Sequence, residues 1–171
     1  MLNLADYIRD IPDFPKPGII FKDITPLLKH GKAFKQTIDE LTRLGANLSV
    51  DKIVGTESRG FIFAAPVAYN LGIGFIPVRK PNKLPHKTRK ETYSLEYGTD
   101  SLEIHEDAVS KGERVLIIDD LLATGGTIQA TAKLVESSGA IVAGFGFLIE
   151  LTFLHGIEKL KGYNVNSLIK F

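Results

Sequence analysis

The sequence has 171 residues, enough for one domain with a sizeable core, and its 44% hydrophobic and 24% charged residues are typical of a soluble globular protein. Its net charge of +1 gives no indication of a nucleic-acid partner, and the absence of cysteine excludes disulfides, thiolate zinc sites and a cysteine nucleophile. The N-terminus, MLNLADYIRDIPDFP, is unlike a signal peptide, and no apolar run is long enough for a membrane span, so we expect a cytoplasmic protein.

Helical and strand-like segments alternate along the chain. Short apolar runs predict strands at 52–55, 73–78, 115–118 and 140–149. Apolar residues at helical spacing predict helices over 34–44, 61–71 and 128–135. This alternation predicts a single α/β domain, residues 1–171, with a central, mainly parallel sheet flanked by helices.

Glycine and proline set the expected limits of these helices. Gly45 is expected to stop the first helix, and Gly139 is expected to close the third. Pro66 falls within the second helix, where we expect proline to be tolerated only near the start, because its ring removes a backbone donor.

More than thirty residues between the strands at 73–78 and 115–118 have no clear helical pattern, and such long loops are usually lids or disordered insertions. The pattern leaves two interpretations open: a solvated hairpin whose arms pair by charge, or a mobile flap, at about 79–112, that brings cations and an acid or base to an anionic substrate. Basic residues fill the first part and acids the second: Arg79, Lys80, Lys83, Lys87, Arg89 and Lys90, then Glu91, Glu96, Asp100, Glu103, Glu106 and Asp107.

The segment RVLIIDDLLATGGT, residues 114–127, carries the strongest chemical signal. It reads as a strand, a short loop and the start of a helix, an order that places unpaired amides at the carboxyl edge of the sheet, where anions bind. Gly125 and Gly126 allow close backbone approach. Two other interpretations remain: a tight turn with Thr127 as the helix cap, or a magnesium site on Asp119 and Asp120, as in a phosphohydrolase.

These residues resemble the phosphoribosyl pyrophosphate (PRPP) signature of the type I phosphoribosyltransferases. The resemblance extends to the adenine-specific branch of that family through four further segments: FPKPGIIFKDITPLL at 14–28, ESRGF at 57–61, VRKPNKLP at 78–85 and YSLEYG at 93–98. It implies the type I fold with a small N-terminal hood, at about 1–30, and a long flexible flap. It also implies an enzyme that joins adenine and PRPP to give AMP and pyrophosphate, with Mg²⁺ held mainly by PRPP and not directly by protein ligands.

The resemblance implies a role for residues in four groups. The 5-phosphate would lie on Ala123, Thr124, Gly125, Gly126 and Thr127. The pyrophosphate would contact Ser58, Arg59, Arg79, Lys80 and Lys83. The adenine would contact Ile20, Phe21, Lys22, Leu122 and Ala123. Catalysis would depend on Glu96, Asp119, Asp120 and Arg59, with Tyr97 helping to close the flap.

In this assignment Glu96 takes the proton that leaves adenine, and the Asp119–Asp120 pair faces the ribose. The partners would be the small-molecule substrates and a second copy of the chain in a homodimer, with no nucleic acid and no membrane. Two alternatives stay open, namely a PRPP-binding regulator without catalysis and a phosphoribosyltransferase for another base. Without the resemblance, ESRG reads as a polar turn and Glu96 as one more acid in an acidic arm.

Overall fold

The computed structural model describes residues 1–94 and 98–171, apart from the side chain of Ser94. The strands are β1 (Arg9–Pro12), β2 (Ile20–Asp23), β3 (Lys52–Thr56), β4 (Gly74–Val78), β5 (Thr88–Ser94), β6 (Thr99–His105), β7 (Arg114–Leu122), β8 (Ile141–Glu150) and β9 (Val165–Lys170). The α-helices are α1 (Thr25–Lys29), α2 (Gly31–Leu48), α3 (Gly60–Leu71) and α4 (Gly126–Glu136), and short 3-10 helices lie at Leu4–Tyr7, Thr152–Leu154 and Gly156–Leu160.

Five parallel strands form the central sheet, in the order β4-β3-β7-β8-β9. β7 lies at its centre, and Val115 to Ile118 are fully buried because helices cover both faces of the sheet. Ile117 faces a core that includes residues of α4, and Leu116 and Ile118 face a core that includes residues of α2 and α3. The predicted parallel α/β sheet is therefore confirmed.

Two helix predictions were wrong in detail. α2 continues past Gly45 to Leu48 and ends at Ser49, which has a left-handed φ of 50°. Gly45 is buried in the helix, where a Cβ would stand 2.8 Å from Leu71 Cδ1, so its small size serves packing against the end of α3. Pro66 lies past the first turn of α3, and the helix persists because neighbouring residues such as Phe63 are fully buried.

The fifth strand, β9, was not predicted from the sequence. Its residues VNSLIK alternate only weakly between apolar and polar, and only Ile169 is buried, because β9 is an edge strand with one sheet neighbour. The pattern of β9 gives little signal, since burial constrains few of its side chains.

Two antiparallel hairpins accompany the central sheet. β1 pairs with β2 in the segment predicted as the hood, and β5 pairs with β6 in the segment predicted as the flap. The basic and acidic parts of this predicted segment, at about 79–112, pair by charge only in part. Lys80 forms an ion pair with Asp100, whereas Arg89 donates to the backbone oxygen of Ser137. Among the described residues, no helix combines the length and the apolar character needed to cross a bilayer.

Candidate functional site

An open cavity of about 280 Å³ lies where β3 and β7 end, at the carboxyl edge of the sheet. Two segments supply most of the described wall: residues 57–59, between β3 and α3, and residues 119–128, which run from the end of β7 into the first turn of α4. Lys80 also lines the cavity. The two motifs ESRG and DDLLATGGT, which are some sixty residues apart, thus meet in one site because parallel strands end at the same edge.

The loop between β7 and α4 presents backbone amides to the cavity. Gly125 is the N-cap residue of α4, with a left-handed φ of 79° that suits glycine, and no side chain caps the helix. The interpretation of Thr127 as the cap is therefore wrong; its hydroxyl instead donates to the Tyr93 hydroxyl over 3.3 Å. The amides of the first turn remain available for an anion, which the helix dipole also favours.

Gly156, a residue that the sequence analysis did not single out, lies beneath this loop. It begins the 3-10 helix Gly156–Leu160 and is buried. A Cβ on Gly156 would overlap the Ala123 carbonyl, and a Cβ on Gly125 would lie 2.6 Å from the Gly156 carbonyl oxygen. A glycine in this C-terminal segment gives no sequence signal, since its importance comes from a partner more than thirty residues away.

The two acids of the motif have different surroundings. Asp120 is 7% exposed and forms an ion pair with Arg59. Asp119 lies against the first residue of α3, where a Cβ on Gly60 would stand 2.8 Å from Asp119 Oδ1. Burial, together with the charge of neighbouring Asp120, raises the pKa of Asp119 well above its ordinary value, so this carboxylate is costly to keep ionised without a positive partner.

Ser58 and Arg59 lie at the turn that leads from β3 into α3. The Glu57–Ser58 peptide bond is cis, and both residues line the cavity. Arg59 joins two elements: its guanidinium pairs with Asp120 and also lies 5.0 Å above the ring of Phe21, in β2. The turn predicted from ESRG therefore carries a charged group that links Asp120 to the N-terminal hairpin.

Besides Arg59, three cationic residues were predicted to contact the pyrophosphate, and they occupy different positions. Lys80 lines the cavity, whereas Arg79 and Lys83 are not among its described lining residues. Arg79 instead makes two hydrogen bonds to Glu57, of 3.2 and 3.3 Å, and the Lys80 backbone amide donates to the same carboxylate over 2.7 Å. Burial opposes ionisation of Glu57, but these bonds outweigh it and lower the pKa of that carboxyl below its usual value.

Of the residues predicted to contact adenine, some line the cavity and others do not. Leu122 and Ala123 line the cavity, whereas the hood residues Ile20, Phe21 and Lys22 do not belong to its described lining. The Lys22 side chain is buried, with its ammonium 2.6 Å from Asp10 Oδ1 and 3.7 Å from the centre of the Phe171 ring. Because the Lys22 side chain contacts Asp10 and Phe171, the main chain of Lys22 is the part that could recognise a base.

Predicted residues in the flap lie partly outside the described part of the chain. Glu96, the predicted proton acceptor, and Tyr97 belong to this undescribed segment. On either side of it, Tyr93 and Asp100 are described and form a polar cluster with Lys80, next to the cavity. No role was predicted for Tyr93 or Asp100 from the sequence, since an aromatic and an acid in a polar hairpin are common on protein surfaces.

Comparison with known proteins identifies relatives over almost the whole chain. The family model for the phosphoribosyl transferase domain matches residues 22–163. The adenine phosphoribosyltransferase of Desulfitobacterium hafniense is 60% identical over 170 residues, which are 99% of this chain and 98% of the relative.

Solved structures agree with this relationship. The crystal structure of adenine phosphoribosyltransferase from Thermoanaerobacter pseudethanolicus is 61% identical, with a TM-score of 0.95 over 98% of each chain. The enzyme from Saccharomyces cerevisiae, solved in complex with an imino-altritol bisphosphate and adenine, is 41% identical, with a TM-score of 0.90 over 96% of each chain.

Proposed function

Since the chain belongs to the phosphoribosyltransferase family, we propose that it transfers the phosphoribosyl group of PRPP to N9 of adenine, giving AMP and pyrophosphate. The observation that carries the proposal is the meeting of an uncapped helix N-terminus, the Asp119–Asp120 pair and Lys80 in one cavity. An anion and a sugar with free hydroxyls both find partners there. The relatives of about 60% identity make adenine the favoured acceptor over other bases.

The phosphates of PRPP would occupy opposite ends of the cavity. The 5-phosphate would accept hydrogen bonds from the backbone between Ala123 and Thr127 and from the hydroxyls of Thr124 and Thr127, where the start of α4 adds its dipole. The pyrophosphate would contact Ser58, Arg59 and Lys80, which line the other wall. Arg79 and Lys83 remain predicted contacts of the pyrophosphate, although neither is among the described lining residues.

Asp119 and Asp120 would face the ribose between these two ends. Their carboxylates can accept hydrogen bonds from the 2- and 3-hydroxyls, and positive charge develops at C1 as the pyrophosphate departs. Fixed negative charge stabilises that transition state more than the ground state. A positive centre beside Asp119 would also favour its ionised form, which burial opposes in the free protein.

Adenine would lie against Leu122 and Ala123, with hood residues Ile20, Phe21 and Lys22 contacting it mainly through their backbone. Forming the bond at N9 requires a proton to leave the base, and we assign this proton to Glu96. Tyr97 would help to close the flap and exclude water from the site.

Among the described residues no cluster of three His, Asp or Glu side chains is placed to hold a metal ion, so Mg²⁺ would depend on the phosphate oxygens of the substrate. The ion would be held mainly by PRPP, and when bound it neutralises charge on the leaving pyrophosphate. We further propose a homodimer located in the cytoplasm, with no nucleic-acid or membrane partner.

One experiment separates this function from its alternatives. The protein is incubated with Mg²⁺, PRPP and one base at a time, and pyrophosphate release is followed. Release with adenine, and not with guanine, xanthine or orotate, supports the proposal. Release with another base identifies a different transferase, and PRPP binding without release indicates a regulator.

A further inference from the structure

The Tyr93 hydroxyl is the meeting point of three segments that surround the cavity. Thr127, in the first turn of α4, donates to it over 3.3 Å. Lys80, which follows β4, donates to it over 3.4 Å, and Tyr93 itself donates to Asp100 Oδ2, in β6, over 3.3 Å. Lys80 and Asp100 also form an ion pair with each other. One phenol thus contacts a residue predicted for the 5-phosphate and a residue predicted for the pyrophosphate.

We propose that Tyr93 is a positioning residue for PRPP, whose hydroxyl links the 5-phosphate loop at Thr127 to the pyrophosphate cation Lys80. This inference rests on the proposed function, because it takes the two ends of the cavity as the two ends of PRPP. Tyr93 itself is not among the described lining residues, so it acts through its neighbours and not by contact with the reacting atoms.

The chemistry of the cluster allows it to adapt when the phosphates arrive. A bound 5-phosphate accepts the hydrogen bond from the Thr127 hydroxyl, and the Tyr93 hydroxyl can then donate to a lone pair of the Thr127 oxygen. Asp100 keeps a donor throughout, because the Lys80 ammonium continues to bond to it and still has another N–H for the pyrophosphate. No buried polar group is left without a partner in this exchange.

The charges of the cluster support the same arrangement. The hydrogen bond from Lys80 lowers the pKa of Asp100, so the carboxylate is a pure acceptor at neutral pH. Burial alone would lower the pKa of Lys80, but its bonds to Asp100 and Tyr93 outweigh this and raise the pKa, so the ammonium stays charged. Lys80 is therefore both oriented and kept cationic at the cavity wall.

The test is Tyr93→Phe, which removes the hydroxyl and keeps the ring, with Tyr69→Phe as the matched control because Tyr69 is 86% exposed on α3. Calorimetry with Mg²⁺ measures the binding of PRPP, of ribose 5-phosphate and of pyrophosphate separately. We expect each of the three to bind about two- to ten-fold more weakly to Tyr93→Phe, the size of effect that one lost hydrogen bond produces. The KM for adenine and the thermal midpoint should match those of the control.

Several results would overturn the inference. These are unchanged binding of PRPP, weakening of only one of the two part-ligands, an equal rise in the KM for adenine, or a fall in thermal midpoint well beyond that of the control. Wild-type protein that releases no pyrophosphate with adenine would instead refute the proposed function. The binding measurements would still report on Tyr93 in that case, so the two failures can be told apart.

Discussion

Gly125 and Gly156 pack backbone against backbone, and a Cβ on Gly125 would lie 2.6 Å from the Gly156 carbonyl oxygen. On the other side of this contact, a Cβ on Gly156 would overlap the Ala123 carbonyl. The loop predicted to bind the 5-phosphate is therefore supported by the 3-10 helix Gly156–Leu160. Because both partners are backbone atoms, a side chain at either glycine cannot be accommodated by a change of rotamer.

The first prediction concerns Gly156→Ala. The added methyl group must displace the loop, so we expect the KM for PRPP to rise about ten-fold and the free energy of unfolding to fall by about 1–3 kcal/mol. The KM for adenine should change much less. Steady-state kinetics and thermal unfolding measure these effects, with Gly31→Ala as the control, since a Cβ there meets nothing within 4 Å. An alanine variant with wild-type affinity for PRPP would contradict the supporting role.

The second prediction separates two roles for the acid pair. If Asp119 and Asp120 stabilise positive charge at C1, Asp119→Asn and Asp120→Asn should each lose about a hundred-fold in kcat and much less in PRPP affinity. Asparagine preserves the shape and one oxygen acceptor, so the comparison isolates the charge. Single-turnover rates and PRPP titration provide the two numbers. Equal losses in both would indicate that the pair only binds substrate.

The third prediction uses the raised pKa of Asp119. Its carboxyl is harder to ionise in the folded chain than in the unfolded chain, where its ordinary value is 3.8. The unfolded state thus releases the proton first, so Asp119 lowers the free energy of unfolding as the pH rises from about that value through the raised folded pKa. Asp119→Asn should lack this decrease and be more stable than wild type at neutral pH, despite its lower turnover.

Denaturant unfolding of both proteins over a range of pH values measures this difference. Gln substitution of Glu57 is a useful contrast, because the pKa of Glu57 is lowered and its contribution has the opposite sign. That contribution is present above the ordinary pKa of 4.5 and is lost as the pH falls through the lower folded value. Parallel pH profiles for wild type and Asp119→Asn would refute the prediction.

The fourth prediction concerns Glu96, which lies outside the described residues. If its carboxylate takes the proton from adenine, Glu96→Gln should reduce kcat about 10²- to 10⁴-fold and leave PRPP binding nearly unchanged. The acidic residue Glu106, in the same arm of the sequence, provides a charge-matched control as Glu106→Gln. Full turnover by Glu96→Gln would show that another group accepts the proton.

Much of the fold could be predicted from the sequence. The apolar runs at 52–55, 73–78, 115–118 and 140–149 each lie within or overlap a strand of the sheet, because strands buried on both faces must be continuously apolar. The strand β9 and the true end of α2 could not be found in this way. β9 is an edge strand with few buried side chains, and α2 continues past Gly45 because that glycine packs against the end of α3. Neither feature leaves a local pattern in the sequence.

The sequence by itself predicted the parallel sheet and the glycine-rich turn into α4, since RVLIIDDLLATGGT combines a buried strand with glycines at a helix start. The family was predicted from the resemblance of this segment and four others to a known signature. Only the tertiary structure decided which groups act together: Asp120 with Arg59, Arg79 with Glu57, and Tyr93 with Thr127. These pairs are 61, 22 and 34 residues apart. Local propensity and periodicity report on the nearest few residues, whereas side-chain contacts of this kind exist only after the strands have aligned and brought their ends to one edge.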